Sequence, residues 1–155
     1  MSIKYLYSRT GKTADIVSQV YPGDFYPINK ENSDVVFNEL RAERNNLICL
    51  MGCLCIVPED IIQDNLVVNL HPGLITEYPE LKGLNPIRKS FELGLPLGNV
   101  LHRAMEEVDS TDIVYSVSKF YTTNEDEADE MSRRLGIVQW MDFLYTYTYY
   151  EELIE

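Results

Sequence analysis

Short apolar runs alternate with segments of helical spacing along this chain of 155 residues. Runs rich in apolar and β-branched residues predict strands at Ile3–Tyr7, Phe25–Ile28, Asn46–Ile56, Leu66–Leu70, Val100–Glu106 and Asp112–Phe120. Apolar positions three and four residues apart predict helices over Ala14–Tyr21, Ser33–Arg44, Pro58–Asp64 and Pro86–Leu93, and a last helix from Asn124 past Trp140 toward Tyr145. This alternation predicts an α/β fold with a mostly parallel central sheet and helices on both of its faces.

The length and the net charge of the chain limit the number of domains and the classes of binding partner. A chain of 155 residues can hide most of its apolar surface in one core, so we expect a single domain over residues 1–155. The formal net charge of -12 repels phosphate backbones and anionic lipid. We therefore expect no general nucleic-acid binding and no role at a membrane, although a local basic site can still bind one small anion.

Cysteine usage points to a reducing compartment. Cys49, Cys53 and Cys55 lie in one apolar run, where cysteine behaves as a small buried hydrophobe. Two cysteines two positions apart on one strand cannot form an ordinary disulfide, and the second ligand pair of a zinc site is missing, so we expect no metal site. The sequence shows neither a signal-peptide pattern nor the ~20 apolar residues that cross a membrane, which predicts a cytoplasmic protein.

The candidate chemistry begins where one predicted strand ends. An apolar, β-branched run stops at Asn69-Leu70-His71 and is broken by Pro72-Gly73. Side chains in a strand repeat with a period of two, so Asn69 and His71 should point to the same side. A second strand-like run begins with Gly98–His102, and Asp109 follows it in a loop.

These segments together resemble a known family, the folate-dependent formyltransferases, and among them the glycinamide ribonucleotide formyltransferases. The similarity covers roughly residues 45–145, and is carried by Leu50–Gly52, Ile56–Pro58, Asn69–Leu74, Tyr78–Leu81, Ile87–Gly94, Gly98–His102 and Val108–Asp109. It implies a Rossmann-like formyltransferase fold and formyl transfer from 10-formyltetrahydrofolate, a reaction of one-carbon metabolism. By position, it also implies that Asn69, His71 and Asp109 form the catalytic set.

Residue chemistry agrees with these implied roles. Formyl transfer to an amine passes through a tetrahedral intermediate with a negative oxygen, which needs hydrogen-bond donors, while the amine must lose a proton. Asn69 can be a neutral donor and a protonated His71 a charged one, and Asp109 can hold His71 charged and accept the proton through a water. Each residue also has a plainer explanation, because a strand-end amide, a loop histidine and a turn aspartate are common in proteins of any function.

The resemblance also implies supporting and donor-binding residues. His102 matches a histidine of the family, and we interpret it as a hydrogen-bonded supporting residue that orients Asp109. Folate binding in the family uses the loop around the catalytic Asp and apolar residues before the Asn-x-His segment. The corresponding positions here are Glu107, Val108, Ser110 and Asp112 in the loop, and Cys55, Ile56 and Val57 upstream, where Ile56 and Val57 can equally be simple core residues.

Parts of the sequence depart from the family. The first strand leads to Ser8–Thr13 instead of a loop rich in glycine and asparagine, and this turn is not a P-loop. Arg9, Gly11 and Lys12 could still hold an acidic group of the acceptor, although a solvated turn explains them as well. The stretch before Asn69 is shorter than usual, in the half that binds the acceptor. Ser110-Thr111 replaces a small residue and glycine, which puts the loop geometry in question because threonine disfavours positive φ.

The C-terminal segment from Trp140 to Tyr150 is unusually aromatic. It could form a homodimer interface or wall a ring-bearing acceptor, but a helix packing its aromatic side on the sheet is the interpretation we favour. Three functional hypotheses follow from the sequence. The first is a formyltransferase acting on the amine of a small, phosphorylated or unphosphorylated acceptor, the second a 10-formyltetrahydrofolate hydrolase, and the third a non-catalytic folate-binding module.

Overall fold

The computed structural model of the protein describes residues 2–154. In this range the strands β1–β6 are Ile3–Tyr7, Asp24–Pro27, Leu47–Leu50, Leu66–His71, Leu97–Arg103 and Val114–Phe120. The helices α1–α5 are Lys12–Ser18, Ser33–Arg41, Glu59–Asp64, Pro86–Leu93 and Glu125–Ile154, and a 3₁₀ turn covers Pro79–Leu81. The predicted alternation of strands and helices is thus confirmed.

The strands form a sheet in the order β2-β1-β3-β4-β5-β6. The pairs β2–β1, β1–β3 and β3–β4 are parallel, and their register places Cys49 of β3 between Tyr5 and Val68. β3 is buried along its whole length, as a central parallel strand should be. The predicted α/β class with a mostly parallel sheet is therefore confirmed.

The neighbouring strand β5 runs antiparallel to β4. The N–H of Ala104, directly after β5, donates to the carbonyl of Val67 at 2.8 Å. Asn69 lies two residues after Val67 on β4, and it contacts His102, which lies two residues before Ala104. Residue numbers therefore rise on one strand while they fall on the other, and this register places Asn69 and His102 as a cross-strand pair on one face.

The chain divides into two compact units, of which the first contains the residues up to Leu70 together with His102–Ile113. Its buried apolar core is made of Leu6, Ile28, Val36, Phe37, Leu40, Ile48, Leu50, Val57, Ile61 and Val67. The side chain of Asn65 ties the start of β3 to the end of α3. It accepts from the N–H of Asn46 at 3.0 Å and donates to the carbonyl of Ile61 at 2.9 Å.

The second unit contains His71–Leu101 and the residues from Val114 onward. Its apolar centre is formed by Ile75, Leu81 and Val100. A buried polar clamp joins β5 to α5, because the Ser132 hydroxyl donates to Asn99 Oδ1 at 2.6 Å and Asn99 Nδ2 donates to the Ser132 carbonyl at 2.9 Å. Both polar groups are thereby satisfied within the buried interior of this unit.

The predicted third strand is too long. β3 ends at Leu50 rather than at Ile56, and Gly52 follows in the left-handed region with φ of 79°. A left-handed residue turns the chain out of the extended course of a strand, which glycine does at little cost. Cys53 and Cys55 consequently lie in a loop, so their predicted placement on a strand is wrong.

Other element boundaries also differ from the predicted ones. Helices α1 and α2 end at Ser18 and Arg41, before the predicted ends at Tyr21 and Arg44. Helix α5 continues past Tyr145 to Ile154. Among residues 2–154, the helices include none with the length and apolar character that a membrane crossing requires.

A buried lysine supports the first unit. The side chain of Lys4 is only 5 % exposed, and its ammonium contacts Asp24 at 2.6 Å and Glu43 at 3.2 Å. Burial lowers the pKa of Lys4, but the hydrogen bonds that its ammonium donates to the two carboxylates outweigh burial and leave the pKa above its usual range. The ion pairs therefore stabilise the fold fully below the unfolded lysine pKa of about 10.4, and this contribution is lost as pH rises through the raised folded value.

Removing both carboxylates should leave the Lys4 charge buried without its partners. We expect Asp24→Asn combined with Glu43→Gln to lower the free energy of unfolding by about 1–3 kcal/mol at pH 7 in urea titrations. The deficit should shrink as pH rises above the unfolded lysine pKa and through the raised pKa of Lys4 in the folded protein. Glu92→Gln is the control because it breaks an exposed ion pair with Arg88, and it should change stability by less than about 0.5 kcal/mol. Equal losses in both variants would contradict this account.

Candidate functional site

Asn69 stands where β4 changes from buried apolar residues to polar ones. Val67 and Val68 are fully buried, whereas Asn69 is half-buried and lies beside Leu50 of β3. Its side-chain nitrogen Nδ2 is 3.3 Å from Nε2 of His102. The first unit thus presents an amide at the end of a buried strand, with one side of that amide held by an imidazole.

The His102 ring is almost completely buried, with 1 % of the residue exposed. Its Nδ1 lies 3.2 Å from the backbone carbonyl of Arg103, which can only accept a hydrogen bond. The sequence predicts a supporting histidine, and the structure shows that one residue it supports is Asn69. The predicted orientation of Asp109 by His102 stays a prediction.

His71 is the last residue of β4 and belongs to the second unit, where it is buried. Its Nε2 lies 2.8 Å from the carbonyl of Leu81, at the end of the 3₁₀ turn. Because a carbonyl oxygen only accepts, Nε2 carries a proton, and proton transfer by this ring has to use Nδ1. The sequence gives no signal for this contact, since the partner is a backbone group.

Asp109 lies in the loop between β5 and β6 and adopts φ of 54°, in the left-handed region. The next residue, Ser110, is buried and receives the N–H of Asp112 on its hydroxyl at 3.3 Å. The sequence puts the geometry of this loop in question at Ser110-Thr111, because threonine disfavours positive φ. The left-handed position falls on Asp109, and aspartate tolerates it better than threonine does.

The same loop lines an open surface cavity of about 470 Å³, and its lining residues are Met105, Glu106, Glu107, Ser110 and Asp112. This volume is within the range of sites for small molecules and cofactors. Three of the predicted donor-binding residues, Glu107, Ser110 and Asp112, contribute to it. Val108 is exposed and is not among the lining residues, whereas Met105 and Glu106 join them.

The upstream donor-binding positions separate into different environments. Val57 is buried in the core of the first unit, which supports the alternative interpretation as a packing residue. Ile56 is 74 % exposed, so the interpretation of this residue as core is wrong. Cys55 is half-buried in the loop after β3 and packs against the core beside Cys53.

The predicted acceptor-binding turn is open to solvent. Arg9 and Lys12 are exposed, and Gly11 adopts φ of 67° just before α1. A Cβ at Gly11 would lie 2.8 Å from Cε2 of Tyr7, so packing alone accounts for the glycine. The seven-residue helix α1 is too short to add a strong dipole, and the acceptor role of this turn stays a prediction.

Burial keeps Cys49 and Cys53 in the thiol form. Burial raises the pKa of Cys49, and burial also raises the pKa of Cys53 to about 11. Thiols with such pKa values are poor nucleophiles and poor metal ligands near neutral pH. Within the described residues, no group of three or more His, Cys, Asp and Glu side chains is arranged to hold a metal ion.

The aromatic C-terminal helix is partly packed and partly exposed. Trp140 and Leu144 of α5 are fully buried, and the Phe143 ring lies 4.7 Å from that of Tyr115 on β6. This confirms that one side of the helix packs within its unit. Tyr145 and Tyr149 are exposed, and the homodimer through this segment stays a prediction.

Comparison with protein families found one match that covers most of the chain. Residues 6–139 match the model of the family described as formyl transferase. The matched range contains Asn69, His71, His102 and Asp109. A comparison with curated proteins found no match.

Solved structures share the fold at low sequence identity. A phosphoribosylglycinamide formyltransferase from Anaplasma phagocytophilum superposes with a TM-score of 0.69 at 18% identity, over 90% of this chain and 83% of that one. The phosphoribosylglycinamide formyltransferase from Campylobacter jejuni superposes with a TM-score of 0.69 at 15% identity, and the match covers 92% of this chain and 96% of that one. A sugar N-formyltransferase from a Shewanella species superposes with a TM-score of 0.73 at 16% identity, and the match covers 93% of this chain and 68% of that one. The predicted Rossmann-like formyltransferase fold is therefore confirmed.

The backbone of Asp109 decides which substitution tests its carboxylate cleanly. Asparagine tolerates the left-handed region, whereas alanine pays about 1–2 kcal/mol for it. We expect Asp109→Asn to unfold within about 0.5 kcal/mol of the parent protein and Asp109→Ala to be less stable by about 1 kcal/mol in thermal and urea unfolding. Asp109→Gly should restore the loss, and an alanine variant as stable as the glycine variant would rule out this strain.

Proposed function

The chain belongs to the formyl transferase family, and we propose that it transfers the formyl group of 10-formyltetrahydrofolate to an amine of a small acceptor. The observation that carries the proposal is the amide of Asn69, which is presented at the end of a buried strand and held by His102 at 3.3 Å. A fixed amide can donate a hydrogen bond without reorganising during the reaction. This property is what stabilisation of a developing negative oxygen requires.

The proposed roles follow from what each group can donate or accept. Asn69 donates an N–H to the formyl oxygen as the amine attacks the formyl carbon. His71 contributes through Nδ1, since its Nε2 is bound to the carbonyl of Leu81. Asp109 accepts the proton that the attacking amine releases, through one water.

The loop between β5 and β6 fits the formyl donor chemically. A pterin ring is flat and carries both N–H donors and acceptor nitrogens along its edge. The cavity of about 470 Å³ offers acceptor oxygens from Glu106, Glu107 and Asp112, and apolar surface from Met105. We propose that this loop holds the pterin, with Glu107, Ser110 and Asp112 as the nearest residues and Val108 beside them.

The acceptor is proposed as a small primary amine. The similar structures act, by their names, on phosphoribosylglycinamide and on sugar amines. Arg9 and Lys12 supply exposed positive charge in a chain of net charge -12, and an acidic acceptor group could pair with them. An assay should therefore include phosphorylated and unphosphorylated amines of both types.

The test is incubation of the purified protein with 10-formyltetrahydrofolate and this amine panel, with mass spectrometry of the amines and a separate assay for formate. The proposal predicts a formylated amine. Formate without a formylated amine would replace the transferase by a hydrolase. If neither product forms while the folate binds, the chain is a binding module and the proposed activity is wrong.

Three substitutions test the residue roles. His71→Ala and Asp109→Asn should each lower kcat by about 10²–10³, the usual effect of losing one group that stabilises the transition state. Asn69→Asp should be as damaging, because it places a negative charge opposite the developing oxyanion. Asp142→Asn, an exposed change on α5, is the control and should leave kcat unchanged. Parent-like turnover in any of the three site variants would refute that residue's role.

A further inference from the structure

The contacts of His102 determine which of its nitrogens carries the proton. The Arg103 carbonyl, 3.2 Å from Nδ1, can only accept, so Nδ1 is the donor. At the other side of the ring, Nε2 faces the Asn69 Nδ2 group, which can only donate. With the Asn69 amide in this orientation, only the neutral ring protonated at Nδ1 satisfies both contacts. The imidazolium would place an N–H against an amide N–H.

This arrangement also fixes the orientation of the Asn69 amide. The two ends of an asparagine side chain have nearly the same shape but opposite hydrogen-bonding character, so packing alone does not choose between them. An acceptor at Nε2 of His102 selects the orientation with Nδ2 toward the histidine. The second N–H of Nδ2 and the oxygen Oδ1 then point in defined directions.

We propose that His102 is a positioning residue that selects the catalytic orientation of the Asn69 amide by presenting a neutral acceptor to it. The proposal rests on the proposed function for its catalytic meaning, whereas the hydrogen-bond arrangement can be tested without any turnover. The cross-strand register supports it, because the Ala104–Val67 backbone bond places the two side chains as direct neighbours. Neither residue needs to move for the contact to form.

The first test is a long-range ¹H–¹⁵N NMR spectrum of the two histidine rings that this chain contains. We expect the His102 ring to show the neutral pattern with the proton on Nδ1 at neutral pH, and the Asn69 amide protons to be separated and protected from exchange. A His102 ring with its proton on Nε2 would overturn the proposal. Loss of His71 signals in His71→Gln assigns the spectrum.

A substitution of the partner gives an independent check. In Asn69→Asp, a carboxylate replaces the Asn69 amide that faces Nε2 of His102. The charged His102 ring should therefore lose its proton at a pH at least one unit higher than in the parent protein. The matched control is Asn99→Ala, which removes a buried hydrogen bond elsewhere on β5 and should leave the His102 spectrum unchanged. An unchanged His102 titration in Asn69→Asp would show that the contact does not exist.

The catalytic meaning is tested by kinetics of His102 variants. His102→Phe removes the acceptor and should lower kcat about 10- to 100-fold with the donor KM unchanged, whereas Asn99→Ala should lower stability without this pattern. His102→Gln can still accept from Asn69 and donate to Arg103, so it should recover at least part of the lost kcat. Equal kcat in His102→Phe and the parent protein would overturn the positioning role. If the NMR results hold but the parent protein transfers no formyl group, the proposed function fails and the hydrogen-bond arrangement stands.

Discussion

The register between β4 and β5 is the constraint on which the site depends. The backbone hydrogen bond from Ala104 to Val67 shows which residues face each other across these strands. A slip by one residue would turn every side chain of one strand to the opposite face. Asn69 would then lose His102, and the buried valines that anchor β4 would leave the core. The packing of apolar residues and the placement of the polar pair are thus one and the same requirement.

The loop that follows β5 inherits its position from the same register. It begins at Ala104, which is held by β4, and returns to the sheet where the N–H of Arg103 meets the carbonyl of Ile113 at 3.0 Å. Between these points the chain needs a left-handed residue, and Asp109 occupies that position. A carboxylate at a left-handed turn position projects from a backbone with little conformational freedom. The loop therefore carries both the Asp109 carboxylate and the residues that line the cavity.

Sequence patterns predicted the parts of the structure that depend on local periodicity. β1 and α4 have the predicted bounds, because apolar alternation and the Pro86 and Gly94 signals act over short distances. The end of β3 could not be predicted, since Met51, Cys53 and Leu54 are as apolar as the strand and only the turn at Gly52 stops it. The contacts of the site could not be predicted from the sequence either. The partner of His71 is a backbone carbonyl, and the contact of His102 with Asn69 depends on the pairing of two strands that are distant in sequence.

The central claim is that this chain moves a formyl group to an amine with the help of a held Asn69 amide. It is tested most directly by following 10-formyltetrahydrofolate labelled with ¹³C in the formyl group by NMR, with the parent protein and Asn69→Asp side by side. The account predicts that the label appears in a formamide with the parent protein and reaches it at least about 100-fold more slowly with the variant. Label that stays on the folate, or that reaches the formamide at the same rate with both proteins, would contradict it.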